Sequence, residues 1–147
     1  MKIIDLSIPV DNDTPLPPAQ HKGVCNETFY RQPGYWQISW CSFGAHTASH
    51  VDSPLHVIEN SPTIGEICLD RVCGEAVVLD ITHVNADEPV DVQDLSPFAE
   101  EINEGDIIIL RTDWGRRVWG KEYFSTSPYL TLEAAHWLVE RKPKAIA

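Results

Sequence analysis

His46, His50, Asp52 and His56 fall within eleven residues, in the run His46-Thr-Ala-Ser-His50-Val-Asp52-Ser-Pro54-Leu-His56. Three of the chain's six histidines lie in this one stretch, a concentration that argues for a shared task. Neutral imidazole nitrogen and carboxylate oxygen are what a divalent transition metal takes from a protein. A lone histidine is more often a surface or core residue than a ligand. The interleaved aspartate and the Asp-x-Pro-x-His ending move the balance towards a metal site.

The spacings are i, i+4, i+6 and i+10. In a fully extended segment His46 and His50 would stand roughly 13 Å apart, at ~3.3 Å per residue. Metal–ligand bonds are about 2 Å long, so the backbone has to turn between them. Ala48 and Ser49 are small enough to permit that turn. Pro54 stops a regular helix and biases residue 53 towards extended geometry. The segment therefore reads as a strand end, a tight bend and a short extended piece. Three protein ligands with an open position describe a catalytic metal centre. Here those ligands are His46, His50 and Asp52, and His56 is the spare imidazole that can take and return a proton. Such ligands suit Zn²⁺, Mn²⁺ and Fe²⁺ alike.

The run resembles the signature His-x-Gly-Thr-His-x-Asp-x-Pro-x-His of the cyclase family of metal-dependent hydrolases, which includes kynurenine formamidase (arylformamidase) and isatin hydrolase. His46, His50, Asp52, Pro54 and His56 match it, while Ala48 and Ser49 stand where the family usually has Gly and Thr. Further similarity lies in Ile4-Asp5-Leu6-Ser7-Ile8-Pro9, in the stretch from Ile67 to Asp80, in Gly105–Trp114 and in Leu132–Leu138.

The resemblance implies a swivelling β/β/α fold, an α/β architecture with a mixed, partly closed sheet and flanking helices. It implies a metal-assisted hydrolase of small amides, formamides or cyclic amides, using one or two ions of Zn²⁺ or Mn²⁺, with His56 as the acid–base residue. It also implies a small-molecule substrate and assembly as a homodimer or homotetramer. In the formamidase members the motif's Asp is shared by two metals, and a C-terminal His and Glu hold the second. Those two have no matching positions here. His136 and Glu140, at i,i+4 on the last predicted helix, are the candidates for a replacement pair, against the plainer reading of a solvated helix face. The chain ends at Pro143-Lys-Ala-Ile-Ala147, which reads as the start of a strand, so the expectation is a domain incomplete at its C-terminus. A non-catalytic metal- or ligand-binding remnant is the rival reading.

Composition sets wider bounds. At 147 residues and 43% apolar content the chain is expected to form one domain with a sizeable core. A net charge of −11 disfavours nucleic acid and anionic membrane as partners. No apolar stretch approaches the length of a membrane span, and no signal-peptide core follows Met1, so the expected location is cytoplasmic. Cys25, Cys41, Cys68 and Cys73 show no Cys-x-x-Cys pairing and read as free, partly buried thiols. There is no phosphate loop and no Gly-x-Ser-x-Gly elbow, which argues against serine-hydrolase chemistry.

The elements that must position the motif are read from periodicity. Residues 2–10 alternate as a strand through Ile4, Leu6, Ile8 and Val10, and 11–34 are a proline-rich loop. Trp36, Ile38 and Trp40 mark a strand leading into the motif, with both tryptophans expected in the core. Thr63 and Glu66 form a capping box, turning Ile64 and Ile67 inward. Residues 75–81 and 106–112 read as buried strands, 91–102 as a short broken helix closed by Gly105, and 113–130 as an aromatic-rich loop. Arg111 and Asp113 flank a strand end, read as an ion pair or turn contact, with a role near the substrate as the alternative. Thr131 caps a final helix with Leu132, Ala135 and Val139 on its inner face.

Overall fold

A computed structural model describes residues 2–20, 23–31, 34, 36–118 and 120–147. The chain divides into two compact units, Met1–Val51 with Trp119–Phe124, and Asp52–Val118 with Ser125–Ala147.

The first unit contains one antiparallel hairpin. Strand β1 (Cys25–Arg31) pairs with β2 (Trp36–Ser42), from Cys25 opposite Ser42 to Arg31 opposite Trp36. The alternation around Trp36, Ile38 and Trp40 does form a strand. Its partner arises inside the stretch expected as loop, because β-forming residues such as Thr28 and Phe29 lie beyond the proline cluster and find that strand beside them. His21, Lys22, Gln32 and Pro33 of the same stretch lie outside the described residues. Trp36 and Trp40 are not core residues, being 44% and 66% exposed. A two-stranded ribbon has two open faces, and alternation alone does not say which face is covered.

Residues 2–10 also depart from expectation, since they join no sheet. The Ser7 N–H donates to Asp5 Oδ1 and the Ile8 N–H to Ser49 Oγ, each at 2.9 Å. These amides are satisfied by side chains instead of a ladder, and Ile4 and Leu6 stay exposed.

The second unit carries the hydrophobic core and the α/β layering. Strands β3 (Ala76–Asp80), β5 (Ile107–Arg111) and β7 (Ala145–Ile146) form a parallel sheet in the order β3-β5-β7. A short parallel pair joins β4 (Pro89–Val90) to β6 (Tyr129–Leu130). Helix α1 (Val92–Leu95), continued by a 3-10 turn at Ser96–Phe98, lies in the crossover between β3 and β5. Helix α3 (Leu132–Val139) lies between β5 and β7. Parallel strands need such crossovers because their ends lie at opposite edges of the sheet. Leu79, Ile81, Leu95, Ile108 and Leu138 are fully buried between these elements.

Several local expectations hold and others shift. Thr131 Oγ1 accepts the Ala134 N–H at 3.1 Å and caps α3. The inner face of α3 is Ala134 and Leu138, while Leu132 and Val139 are exposed. Both stripes follow helical spacing, so periodicity could not choose between them. Gly105 does not close the α1 region, whose 3-10 continuation ends at Phe98; at φ +91°, a conformation that glycine adopts without penalty, it lies in the separate turn that leads into β5, where the Asp106 N–H donates to Asn103 O. β3 is buried on one face only, with Leu79 fully buried and Val78 50% exposed. Glu66 accepts from both the Thr63 N–H and its hydroxyl, completing the expected turn, yet Ile64 remains exposed. The stretch expected as loop after β5 contains helix α2 (Trp114–Arg117), a 3-10 turn at Lys121–Phe124, and β6. All four cysteines are free and exposed, not partly buried. Among the described residues no helix is long and apolar enough to cross a membrane.

Candidate metal centre

The motif leaves β2 at Ser42 and bends through residues 45–49. Ala48 supplies the reversal in the left-handed region, at φ +54°. An L-residue there costs roughly 1–2 kcal/mol, which the surrounding contacts must offset. Ser53 is extended (φ −83°, ψ 159°), as the proline after it demands. Pro54 then opens a 3-10 turn over Pro54–His56 instead of an extended piece, its fixed φ suiting the first position of a turn. His56 ends that turn, exposed, with its N–H donated to Ser53 O at 2.9 Å.

The reversal brings His46, His50 and Asp52 together, with one ligand atom from each lying within 4.8 Å of the others. His46 Nδ1 and His50 Nε2 are 3.1 Å apart. Two nitrogens bound tetrahedrally to one cation, each at about 2.0 Å, stand roughly 3.3 Å apart, so the pair is already at a shared-ligand separation. His50 Nδ1 lies 2.9 Å from Ala48 O. A carbonyl only accepts, so Nδ1 carries the proton and donates it. The lone pair of neutral His50 is then on Nε2, the atom facing His46. Ligating histidines are commonly oriented in this way, through a backbone carbonyl on the other ring nitrogen. The donor set, its spacing and the fixed tautomer all fit a divalent cation. His56 is not a member of the three-residue group.

A cavity of about 70 Å³ in the first unit is lined by His46 and His50 together with Ile8, Pro15, Tyr123 and Phe124. The Tyr123 and Phe124 rings meet edge to face, with centroids 4.9 Å apart. Sequence spacing gives no hint that residues so far along the chain line the same cavity as the histidines. Nor does it reveal Gln20, whose Nε2 donates to Thr47 Oγ1 at 3.2 Å. Both depend on tertiary packing.

Other candidates fall elsewhere. His136, on α3, and Glu140, at its C-cap, are exposed and belong to no three-residue ligand group among the described residues. Arg111 forms the expected ion pair, donating through Nε and Nη2 to the two oxygens of Asp113 at 3.0 and 2.9 Å. Its Nη1 also reaches Asp80 Oδ2 at 3.0 Å. The Arg111 guanidinium lowers the Asp113 carboxyl below its ordinary range, and the Thr82 hydroxyl and N–H do the same for Asp80. Every group in this cluster is engaged by its neighbours, as in a structural clasp at the strand ends.

A parallel sheet with crossover helices and a bent His-x₃-His-x-Asp segment whose ligand-type atoms converge make this an α/β protein with a candidate site for a divalent metal. The chain belongs to the cyclase family, whose sequence model matches residues 4–147. Comparison with curated sequences gives no significant match. Solved structures are more informative. Isatin hydrolase A from Labrenzia aggregata, bound to benzyl benzoate, superposes with a TM-score of 0.82 at 26% identity, over 99% of this chain and 66% of that one. Isatin hydrolase A from Ralstonia solanacearum gives 0.81 at 26% identity, over 97% of this chain and 64% of that one. A Bacillus stearothermophilus protein described as a predicted metal-dependent hydrolase gives 0.75 at 24% identity, over 99% and 67%, a likeness of fold. The chain thus spans about two thirds of the length of these structures. The cyclase-type α/β fold expected from the motif is the fold observed.

Proposed function

We propose that the protein is a metal-dependent hydrolase of a small amide, formamide or cyclic amide. The observation that carries this reading is the convergence of His46, His50 and Asp52 within 4.8 Å, in a chain of the cyclase family. Similarity to two isatin hydrolases supports it. These three residues hold the cation, a divalent ion such as Zn²⁺ or Mn²⁺ that takes imidazole and carboxylate ligands. When bound, it supplies Lewis-acid polarisation of a carbonyl oxygen and a lowered pKa for water. Ala48 O keeps His50 in the ligating tautomer. The apolar walls given by Ile8, Pro15, Tyr123 and Phe124 receive the non-reacting part of the substrate and exclude water around it. His56 is the residue assigned to proton transfer, taking a proton and returning it to the leaving nitrogen.

The test combines metal analysis with turnover. Protein purified without chelators is expected to hold a divalent ion and to hydrolyse an N-formyl aryl amine or an isatin-like lactam. His56→Ala is expected to keep the metal and lose about 10²–10⁴ in rate, the usual contribution of general acid–base catalysis. Absence of bound metal in the wild type would sink the proposal. Metal bound without turnover of any such substrate would favour the rival, a non-catalytic metal-binding remnant.

A further inference from the structure

We infer that Gln20 is a positioning residue for the His46–His50 pair, acting through Thr47; this rests on the metal-binding role proposed above. Two of the three residues between the imidazoles are anchored elsewhere. Thr47 is 4% exposed, and its hydroxyl oxygen accepts from Gln20 Nε2 at 3.2 Å. Ser49 Oγ accepts the Ile8 N–H at 2.9 Å. The backbone on either side of the reversal at Ala48 is thereby tied to the N-terminal segment.

Gln20 is itself held in place. Its N–H donates to Pro17 O at 2.9 Å, closing a turn through Pro17 and Pro18, whose φ angles are fixed by their rings. Its side-chain amide lies against the Cα of Gly44, where an added Cβ would fall 2.6 Å from the amide atoms. A side chain at 44 would have to push that amide aside. Gln20 therefore contacts the chain both two residues before His46 and one residue after it. This is the leverage by which a residue that binds no cation can set the distance between two that do. Partners that orient metal ligands typically cost 10–100-fold in metal affinity when removed. One hydrogen bond acting through the backbone belongs at the lower end of that range, about tenfold.

The experiment is Zn²⁺ titration of the whole chain against a chromogenic chelator, for wild type, Gln20→Ala, Thr47→Val and the double variant. Co²⁺ loading reports ligand geometry through its visible spectrum, and far-UV circular dichroism confirms folding. Gln20→Ala and Thr47→Val are each expected to weaken Zn²⁺ about tenfold and to alter the Co²⁺ bands. The double variant is expected to be no worse than either single, because both remove one interaction. Wild-type affinity and spectrum in folded Gln20→Ala, or losses that simply multiply in the double variant, would overturn the inference while leaving the metal site standing. A wild type that takes up no Zn²⁺ overturns both. Thr47→Val carries the test alone should Gln20→Ala fail to fold.

Discussion

The two units are built on opposite principles. All eight residues of the buried hydrophobic cluster belong to the second unit, around β3, β5 and α3. Among the described residues the first unit buries Val24 and two threonines, Thr14 and Thr47. Its order comes from hydrogen bonds. Asp11 N–H donates to Thr14 Oγ1 at 2.8 Å, Thr14 Oγ1 donates to Pro9 O, and Thr47 and Ser49 receive donors from Gln20 and Ile8. Apolar packing is strong and indifferent to direction, whereas a hydrogen bond is weak and aimed. A fold needs the first for stability, and two histidines that must face each other need the second.

The contrast can be broken most severely at the motif. His50→Ala removes one of the three proposed ligands and the group anchored to Ala48 O. It is expected to abolish measurable Zn²⁺ binding while leaving the chemical-denaturation midpoint of the second unit unchanged; a coupled loss of stability would show that the two principles are not separate. Next in size is the core. Leu79→Ala deletes a fully buried side chain and is expected to cost about 2–5 kcal/mol in denaturant unfolding. A loss under 1 kcal/mol would mean that the apolar cluster is not what holds this unit.

A smaller effect sharpens the polar side of the comparison within the second unit. Asp94 accepts from His83 Nε2 at 2.8 Å and from the Asp91 N–H at 2.8 Å. These bonds lower its carboxyl below the ordinary range, the His83 contact being the larger cause. A depressed carboxylate stabilises the fold above its unfolded value, and that contribution disappears as pH falls through the folded value. Stability should therefore drop below about pH 4, and Asp94→Asn should flatten that part of the profile. An unchanged acid limb in Asp94→Asn would remove Asp94 from the account. The smallest effect is at the reversal. Ala48→Gly relieves a left-handed L-residue but adds backbone entropy to the unfolded chain, and the net expectation is a gain of up to about 1 kcal/mol. Thermal melts would show it, with Zn²⁺ affinity held constant.

The same division explains what could be read in advance. The β3 and β5 strands, the capped α3 helix and the chain reversal at Ala48 all follow from local rules of periodicity, capping and reach. The grouping of His46, His50 and Asp52 could be read because they sit within seven residues of one another. What could not be read depends on partners distant in sequence. Whether Trp40 is covered depends on a second layer, not on its strand. Which stripe of α3 faces inward depends on the sheet beneath it. Gln20 carries no motif, and only the folded chain sets it beside Thr47 and Gly44.

The ribbon formed by β1 and β2 has one further consequence. Register alternation puts Trp36 and Trp40 on one face, both open to solvent, whereas Trp114 is buried. Iodide should therefore quench that face's ultraviolet emission before it reaches Trp114. The protein carries its own optical gauge, which will dim or brighten according to whatever settles over those two indoles.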